Sequence, residues 1–429
     1  MDSDIRPAGQ PSPTEPKPPV RNTDNQKTEP DKTEEVFKTP DEVAAEQTLR
    51  DASMATKVSA VAKPKTSKPT SEGWKQKLKL SWPPGKREYI VGGIILVLVA
   101  SIISFLLVHN NSPKPPPAKA KITKKVVKPT TEPSTLSGLP VALDVNKRTV
   151  TGVMIENSID ARPQAGLSQA MVVFEAVAEG GVTRFLALFQ DTSPDNVGPV
   201  RSARPYYIQW ALGFDAGYAH VGGSADGLAD IKTWGVRDLD QFANSGSYHR
   251  ISARAAPHNV YTAISTLNQL EASKGYNGSK FTGFPRKKEA PAKVPTAKTI
   301  DLTLSGPIYN VHYDYSAATN SYNRVEGGAP HLDANTNAQI SPKVVIAMVI
   351  PLSNGVLDAT GAYYSNYASI GSGPVSIFQD GTVTTGTWTK ADNTSQITFT
   401  DASSKPIKLN PGQTWLTAVS LPTKISYAP

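Results

Sequence analysis

The chain of 429 residues contains no cysteine. This absence excludes disulfide bonds, thiol catalysis and cysteine-ligated zinc or iron–sulfur centres. It leaves the redox compartment open, because a cysteine-free domain tolerates either environment. Aromatic residues are also scarce, at 7% of the chain, whereas the 36 prolines are too many for one compact globule. Part of the chain is therefore expected to remain outside any folded domain.

A basic folded domain is also missing, although the net charge of the whole chain is +8. The excess lies in the tails, since residues 137–429 carry 23 basic and 22 acidic side chains and sum to +1. A nucleic-acid-binding domain needs a basic face to neutralise phosphates. The charge distribution therefore argues against a nucleic-acid partner.

Two segments have the composition of unfolded polypeptide. Residues 1–72 are rich in Pro, Thr, Glu and Lys and poor in aromatic side chains. Such a segment buries too little apolar surface to offset its ordering entropy, so we predict a disordered tail. Residues 109–138 are rich in Pro and Lys, which predicts a stiff, extended spacer.

A single long apolar run lies between these segments. Tyr89–Val108 contains twenty residues without a charge, which is enough for a helix to cross a hydrocarbon core of about 30 Å. We predict one uncleaved transmembrane helix at 89–108, which makes the membrane the first expected partner. The preceding segment, 73–88, interleaves tryptophan and leucine with lysine, as in segments that lie on an anionic cytoplasmic leaflet. The N-terminus is therefore placed in the cytoplasm and the remainder outside it.

The remaining sequence has the patterns of folded protein. In residues 139–275, short β-branched runs such as VTRFLALFQ (182–190) alternate with helical patterns such as PYYIQWALG (205–213), which predicts an α/β or α+β domain. Residues 276–300 lose this periodicity and are interpreted as a linker. Residues 301–429 are mostly strand-like and include the Asp380-Gly381 pair, a strong hairpin signal, so a small mostly-β domain is expected there.

An ordered series of motifs in both domains resembles the YerB-type lipoprotein family of bacteria. The first domain carries IENSIDARPQAGLSQAMVVFEAVAEGG, VGPVRSARPYYI, YAHVGGS and APHNVYT, and the second carries YNRVEGGAPHLDANTNAQIS, GTVTTGTW and IKLNPGQTWL. The resemblance implies an anchored cell-envelope protein with an α/β N-terminal domain, a β-rich C-terminal domain and no established activity. This chain lacks a lipobox cysteine, so the helix would replace the lipid anchor.

Positive charge in the first domain is carried almost entirely by arginine. Residues 151–254 contain seven arginines and one lysine, whereas residues 57–128 contain fourteen lysines and one arginine. Arginine offers a planar fork of donors for phosphate or carboxylate, and a glycine turn at a helix start adds backbone N–H groups. The predicted ligand-binding residues are Arg162, Arg184, Arg201, Ser202, Arg204, Gly222, Gly223, Ser224 and Arg250. The alternative is that Arg162 and Arg184 form structural ion pairs with Glu175, Glu179 or Asp191.

Histidines and glutamates supply the other candidates. His220 and His258 are added to the predicted ligand-binding set. Glu175 and Glu179 could form an acid–base pair if they share a face of their strand. The histidines lack the spacing of a zinc site, so no metal is predicted, and no cofactor is expected. The serines in this region have no G-x-S-x-G context, which disfavours a hydrolase triad.

These observations favour a membrane-anchored envelope protein that binds an anionic ligand, such as an envelope polymer or a phospholipid-linked intermediate. One alternative is a phosphotransferase similar in layout to the LytR-CpsA-Psr enzymes, which act on polyprenyl-linked glycopolymers. Another is an envelope scaffold whose disordered tail recruits a cytoplasmic protein partner. These residues are compatible with a binding protein and with an enzyme.

Overall fold

The computed structural model of the chain describes residues 88–109, 129–357, 360–361 and 363–429. The predictions of a disordered tail at 1–72 and of a juxtamembrane segment lie outside these residues, apart from Glu88. Most of the predicted spacer lies outside them too. Its end differs from the prediction, because residues 131–133 form a strand and Leu136 is fully buried.

A helix, α1 (Glu88–His109), covers the apolar run. Side chains are described for 97–106 and 109 of this helix, and among them Val97, Ile102 and Phe105 are more than half exposed. Within the described residues, no helix reaches the combined length and hydropathy of a membrane span.

The described residues from 129 to the end of the chain belong to one compact unit, which is mostly β with few helices. Its described helices are α2 (Pro205–Leu212), α3 (Ala225–Thr233) and α4 (Ile264–Ser273). Its first nine strands are β1 (Thr131–Pro133), β2 (Pro140–Ala142), β3 (Thr151–Glu156), β4 (Val172–Val177), β5 (Thr183–Phe189), β6 (Gly217–Ala219), β7 (Arg237–Asp238), β8 (His249–Arg250) and β9 (Val260–Tyr261). The others are β10 (Thr299–Leu302), β11 (Val311–Ser316), β12 (Ser321–Glu326), β13 (Ala329–Pro330), β14 (Val344–Val349), β15 (Leu352–Leu357), β16 (Tyr363–Tyr367), β17 (Gly371–Gln379), β18 (Thr382–Lys390), β19 (Thr398–Thr400), β20 (Thr414–Val419) and β21 (Ile425–Ala428).

Strands from both predicted domains form one sheet. Its ten strands follow the order β19-β18-β17-β14-β20-β4-β5-β3-β6-β7. Strand β20, from the second predicted domain, pairs in parallel with β4 of the first domain on one side. On its other side it pairs in parallel with β14. A second, antiparallel sheet has the order β13-β12-β11-β10-β21. The two sequence segments therefore share their largest sheet, which the separate patterns of each segment did not predict.

Both faces of the ten-stranded sheet are covered. Along β5, Leu186 and Leu188 enter one hydrophobic core, while Phe185, Ala187 and Phe189 enter another. Successive strand residues point to opposite faces, so a run that is apolar throughout indicates a strand buried on both sides. Helix α2 packs on the first face and helix α4 on the second.

The predicted hairpin at Asp380-Gly381 is confirmed. Strands β17 and β18 pair antiparallel with Gln379 opposite Thr382. Both turn residues have positive φ, 57° at Asp380 and 73° at Gly381. A two-residue turn of this kind matches the twist of the flanking strands, and it favours Asp followed by Gly. The hairpin β15–β16, by contrast, was not predicted from sequence.

Candidate functional site

Two of the predicted arginines converge on one carboxylate. Strand β4 ends at Val177, a tight turn carries Glu179, and β5 then places Arg184 beside it. Arg184 Nη2 lies 3.0 Å from Glu179 Oε2, and Arg204 Nε donates to Glu179 Oε1. Arg204 reaches this point because it immediately precedes α2, where Pro205 occupies the first helical position. We call these three residues the arginine cluster.

The arginine cluster carries a net positive charge in a largely buried setting. Burial alone would raise the pKa of Glu179, but the hydrogen bond from Arg204 and the charge of Arg184 together lower it. Burial lowers the pKa of Arg184, and the charge of Arg204 lowers it further. Within the described residues, Arg184 Nη1 has no hydrogen-bond partner, and Glu179 Oε2 accepts no hydrogen bond. The single carboxylate of Glu179 thus forms ion pairs with the guanidinium groups of both Arg184 and Arg204.

The arginine cluster opens onto a cavity of about 410 Å³, which we call the arginine arm. Glu179 and Arg204 line it, together with Gly223, Ser224 and Leu228. Ser224 is the N-cap of α3, and its Oγ accepts from Gly227 N at 3.2 Å. The positive end of a helix of nine residues therefore faces the same space as Arg204.

A second cavity of about 410 Å³ adjoins the first, and we call it the serine arm. The two arms share Glu179, Tyr363 and Tyr364, so they form one groove, the hairpin groove, along strand β16. The Tyr364 hydroxyl donates to Asp226 Oδ2 at 2.8 Å, whereas Tyr363 is 68% exposed. Half of the fourteen residues that line the serine arm are glycines or small polar residues. These residues are Gly180, Gly181, Ser305, Asn354, Gly355, Ser365 and Ser420.

A second pair of predicted residues, Arg201 and His258, meets at a different carboxylate. Arg201 Nε lies 3.3 Å from Glu156 Oε1, and His258 Nδ1 lies 3.0 Å from Glu156 Oε2. Ser158 Oγ also lies 3.2 Å from His258 Nδ1. A catalytic triad needs the serine and the acid on opposite ring nitrogens, so that one receives the proton and the other orients the ring. Here both face Nδ1, and the carboxylate on the other side, Asp160 Oδ2, lies 4.0 Å from Nε2, beyond hydrogen-bond distance. This cluster therefore lacks triad geometry.

Arg162 belongs to a third group, which is buried where the two sequence segments meet. Its Nη2 lies 3.2 Å from Glu326 Oε1, and its guanidinium carbon lies 5.2 Å from the ring centre of Tyr309. Deeper in the same group, Arg324 Nη2 donates to Glu175 Oε1 at 2.7 Å. Arg324 and Glu175 are both fully buried. Glu175 is thus held by an ion pair and contributes no acid–base partner to Glu179, which contradicts the predicted pairing.

The other predicted residues are held separately. His220 is fully buried, with Nδ1 2.8 Å from Gly222 O and Nε2 3.0 Å from Asp238 Oδ1, so both ring nitrogens have protein partners. The backbone N–H of Gly222 donates to Asp240 Oδ1 at 3.0 Å and is thereby occupied. Arg250 Nη1 donates to Asn259 Oδ1 at 2.6 Å. Ser202 is half-buried and makes no side-chain hydrogen bond to another described residue.

The arginines therefore do not meet at one edge of the sheet. The alternative of structural ion pairs is correct for Arg184 with Glu179, while Arg162 pairs with Glu326, a residue from the second domain. Sequence reasoning missed Glu326, Arg324 and Glu156, as well as the exposed Tyr363. The available signal was a charged residue inside an apolar strand pattern, as with Arg324 in SYNRVE. In the part of the chain that the structure describes, no group of three or more His, Asp or Glu side chains could hold a metal ion.

Comparison with known proteins gives matches over the same region. The family model described as protein of unknown function (DUF3048) N-terminal domain matches residues 136–277, and the DUF3048 C-terminal domain model matches 300–416. YerB of Bacillus subtilis (strain 168), which is named as a lipoprotein, is 30% identical over 327 residues, covering 75% of this chain and 94% of YerB. The crystal structure of the B. subtilis YerB protein matches with a TM-score of 0.63 at 26% identity, covering 70% of this chain and all of that one.

Proposed function

Given that this chain belongs to the DUF3048 family, together with YerB, we propose that it is a membrane-anchored cell-envelope protein that binds an anionic envelope ligand in the arginine arm. The ligand class is a phosphate- or carboxylate-bearing group. The observation that carries this proposal is the sharing of one carboxylate, Glu179, by two arginines, of which Arg204 lies with Glu179 at the wall of a cavity.

The physical basis is charge balance. Glu179 neutralises only one of the two guanidinium groups, so the arginine cluster keeps a net positive charge. Glu179 and Arg204 of this cluster line the arginine arm next to the N-terminus of α3, and Arg184 lies behind them. An incoming anion can take a hydrogen bond from Arg204, either beside Glu179 or in its place. Charge-assisted hydrogen bonds of this kind contribute about 1.5–3 kcal/mol each. The predicted ligand-binding set contains nine residues besides its two glycines. Of these nine, only Arg204 and Ser224 line the arginine arm.

The binding test is a calorimetric titration of the full chain in detergent micelles with pyrophosphate and, separately, with citrate. Arg204→Gln is expected to weaken binding of the preferred anion by about tenfold or more, because the charged donor is lost. Arg201→Gln is the matched control, since Arg201 lies outside the groove and pairs with Glu156. Equal affinity of wild-type and Arg204→Gln protein for both anions would falsify the proposal.

The anchor is proposed to be the apolar segment 89–108, with the N-terminus in the cytoplasm. The lack of native cysteine allows a direct test by single-cysteine labelling of intact cells with a membrane-impermeant maleimide. Ser403→Cys, at an exposed position, is expected to react from outside, and Ser59→Cys only after lysis. Labelling of Ser59→Cys in intact cells would contradict this orientation, and release of the unprocessed chain into the soluble fraction would contradict the anchor.

A further inference from the structure

We propose that the serine arm of the hairpin groove binds a sugar chain, with the ring of Tyr363 as its stacking platform. The proposal rests on the function proposed above, because it names the class of polymer whose anionic group would occupy the arginine arm. The ligand is thus an oligosaccharide that bears a phosphate or carboxylate.

Tyr363 supplies an unusual surface. Its side chain is 68% exposed, and among the described residues its hydroxyl has no hydrogen-bond partner. It stands where the two arms meet. An aromatic ring has an electron-rich face, which suits the C–H groups on the flat side of a pyranose ring, while its hydroxyl suits the polar edge. A tyrosine at the junction of two cavities can therefore hold one sugar while its neighbours extend along each arm.

The lining of the serine arm suits hydroxyl groups. Ser365 Oγ lies 2.9 Å from Ala178 O and 3.1 Å from Asn354 Oδ1, and its single proton is donated to one of these two oxygens. Among the described residues, the amide nitrogen of Asn354 has no hydrogen-bond partner. An amide and a hydroxyl side by side can donate to and accept from adjacent sugar hydroxyls. The backbone turn at Gly180 and Gly181 has no side chains to fill the arm, and nothing lies within 4 Å of a Cβ built on Gly180.

The same lining disfavours other polymers. The charged residues of the serine arm are Glu179 and Lys424, one of each sign, so this arm has no electrostatic preference for a bare polyphosphate. Its apolar members Val177, Leu304 and Leu352 are buried or half-buried, which leaves little surface for an acyl chain. A sugar chain uses both the exposed ring and the hydroxyl-rich wall.

The test is a titration of the full chain in detergent micelles with the β-1,4-linked hexasaccharide of N-acetylglucosamine, with pyrophosphate as a separate probe. Tyr363→Ala is expected to weaken hexasaccharide binding by about tenfold. Pyrophosphate binding is expected to fall by a smaller factor, because Tyr363 lines both arms but offers the anion no charged donor. Tyr427→Ala is the matched control, since Tyr427 is 45% exposed and packs against Phe378, away from the groove. Arg204→Gln is expected to show the opposite pattern.

The outcomes separate the two proposals. Wild-type binding to pyrophosphate but not to the hexasaccharide overturns the sugar inference and leaves the anion site standing. Hexasaccharide binding that is unchanged in Tyr363→Ala also overturns it. Hexasaccharide binding that is lost in Tyr363→Ala and kept in Tyr427→Ala supports the sugar inference, even if wild-type protein binds neither pyrophosphate nor citrate. Tighter binding of an extended hexapeptide than of the sugar would identify the groove as a peptide site and reject the inference.

Discussion

Replacing Arg324 by methionine is expected to lower the free energy of unfolding by about 3–5 kcal/mol, because it leaves a buried carboxylate without its cation. Arg324 is fully buried and bonds to Glu175, to Tyr313 Oη at 2.7 Å and to His331 Nδ1 at 2.9 Å. Its guanidinium carbon also lies 4.4 Å from the ring centre of Trp415. Burial alone would lower the pKa of Arg324, but the neighbouring carboxylates raise it above its ordinary value.

Chemical unfolding of the full chain in detergent measures this effect. The double variant Glu175→Gln/Arg324→Met is expected to recover most of the loss, since the uncompensated charge is gone. Arg148→Gln is the matched control, because Arg148 and Asp144 form an exposed pair and no measurable change is expected. A loss below about 1 kcal/mol for Arg324→Met would show that this buried pair does not stabilise the junction of the two segments.

Replacing Glu271 by glutamine is expected to remove a large pH dependence of stability. Glu271 is buried between α4 and β3, where the Thr151 hydroxyl lies 3.1 Å from Oε1. Burial raises its pKa to about 8, although the Thr151 hydrogen bond and the charge of Arg237 oppose the shift. The folded state therefore binds a proton that the unfolded chain releases near pH 4.5. Stability from this group is fully present below about pH 4.5 and is lost as the pH rises towards 8.

Unfolding of wild-type and Glu271→Gln protein at pH 5, 7 and 9 tests this sign. The variant is expected to gain about 3–5 kcal/mol relative to wild type between pH 5 and pH 9. Asp195→Asn, at an exposed position, serves as the control. Its free energy of unfolding is expected to change with pH in parallel with that of wild type. A wild-type curve that is parallel to that of Glu271→Gln over this range would mean that Glu271 titrates normally.

Local patterns predicted individual strands and helices, whereas the predicted α/β or α+β class of the first domain was correct only in part, because the described residues are mostly β with few helices. The run VTRFLALF predicted β5, and PYYIQWALG after Arg204 predicted α2, because each pattern is set by neighbours within one element. The sharing of one sheet was not predictable in the same way. Strand β20 pairs with β4 across more than 230 residues of sequence, and no local pattern specifies a partner at that separation.

For the candidate site too, local sequence features were predictive and long-range contacts were not. Arginine enrichment correctly marked a region of ion pairs, and it placed Arg184 and Arg204 in the candidate set. Their shared partner was recognisable only as one of several acidic candidates, because the turn at Glu179–Gly181 decides where that carboxylate points. Tyr363 was missed because a single aromatic residue in YYSNY gives no sign of its exposure. The phosphotransferase and scaffold alternatives stay predictions, since no contact among the described residues favours either.

The most direct test of the anion site is one titration with pyrophosphate or citrate, whichever wild type binds more tightly, repeated with Glu179→Gln protein. If Glu179 competes with the ligand for Arg184 and Arg204, its neutralisation raises the local charge by one unit and frees the donors. The affinity for the anion is then expected to increase by about tenfold, and the increase is expected to shrink at high salt. If Glu179 serves only to hold the two arginines in the fold, the variant binds the anion no better than wild type, and the anion site proposed here is wrong.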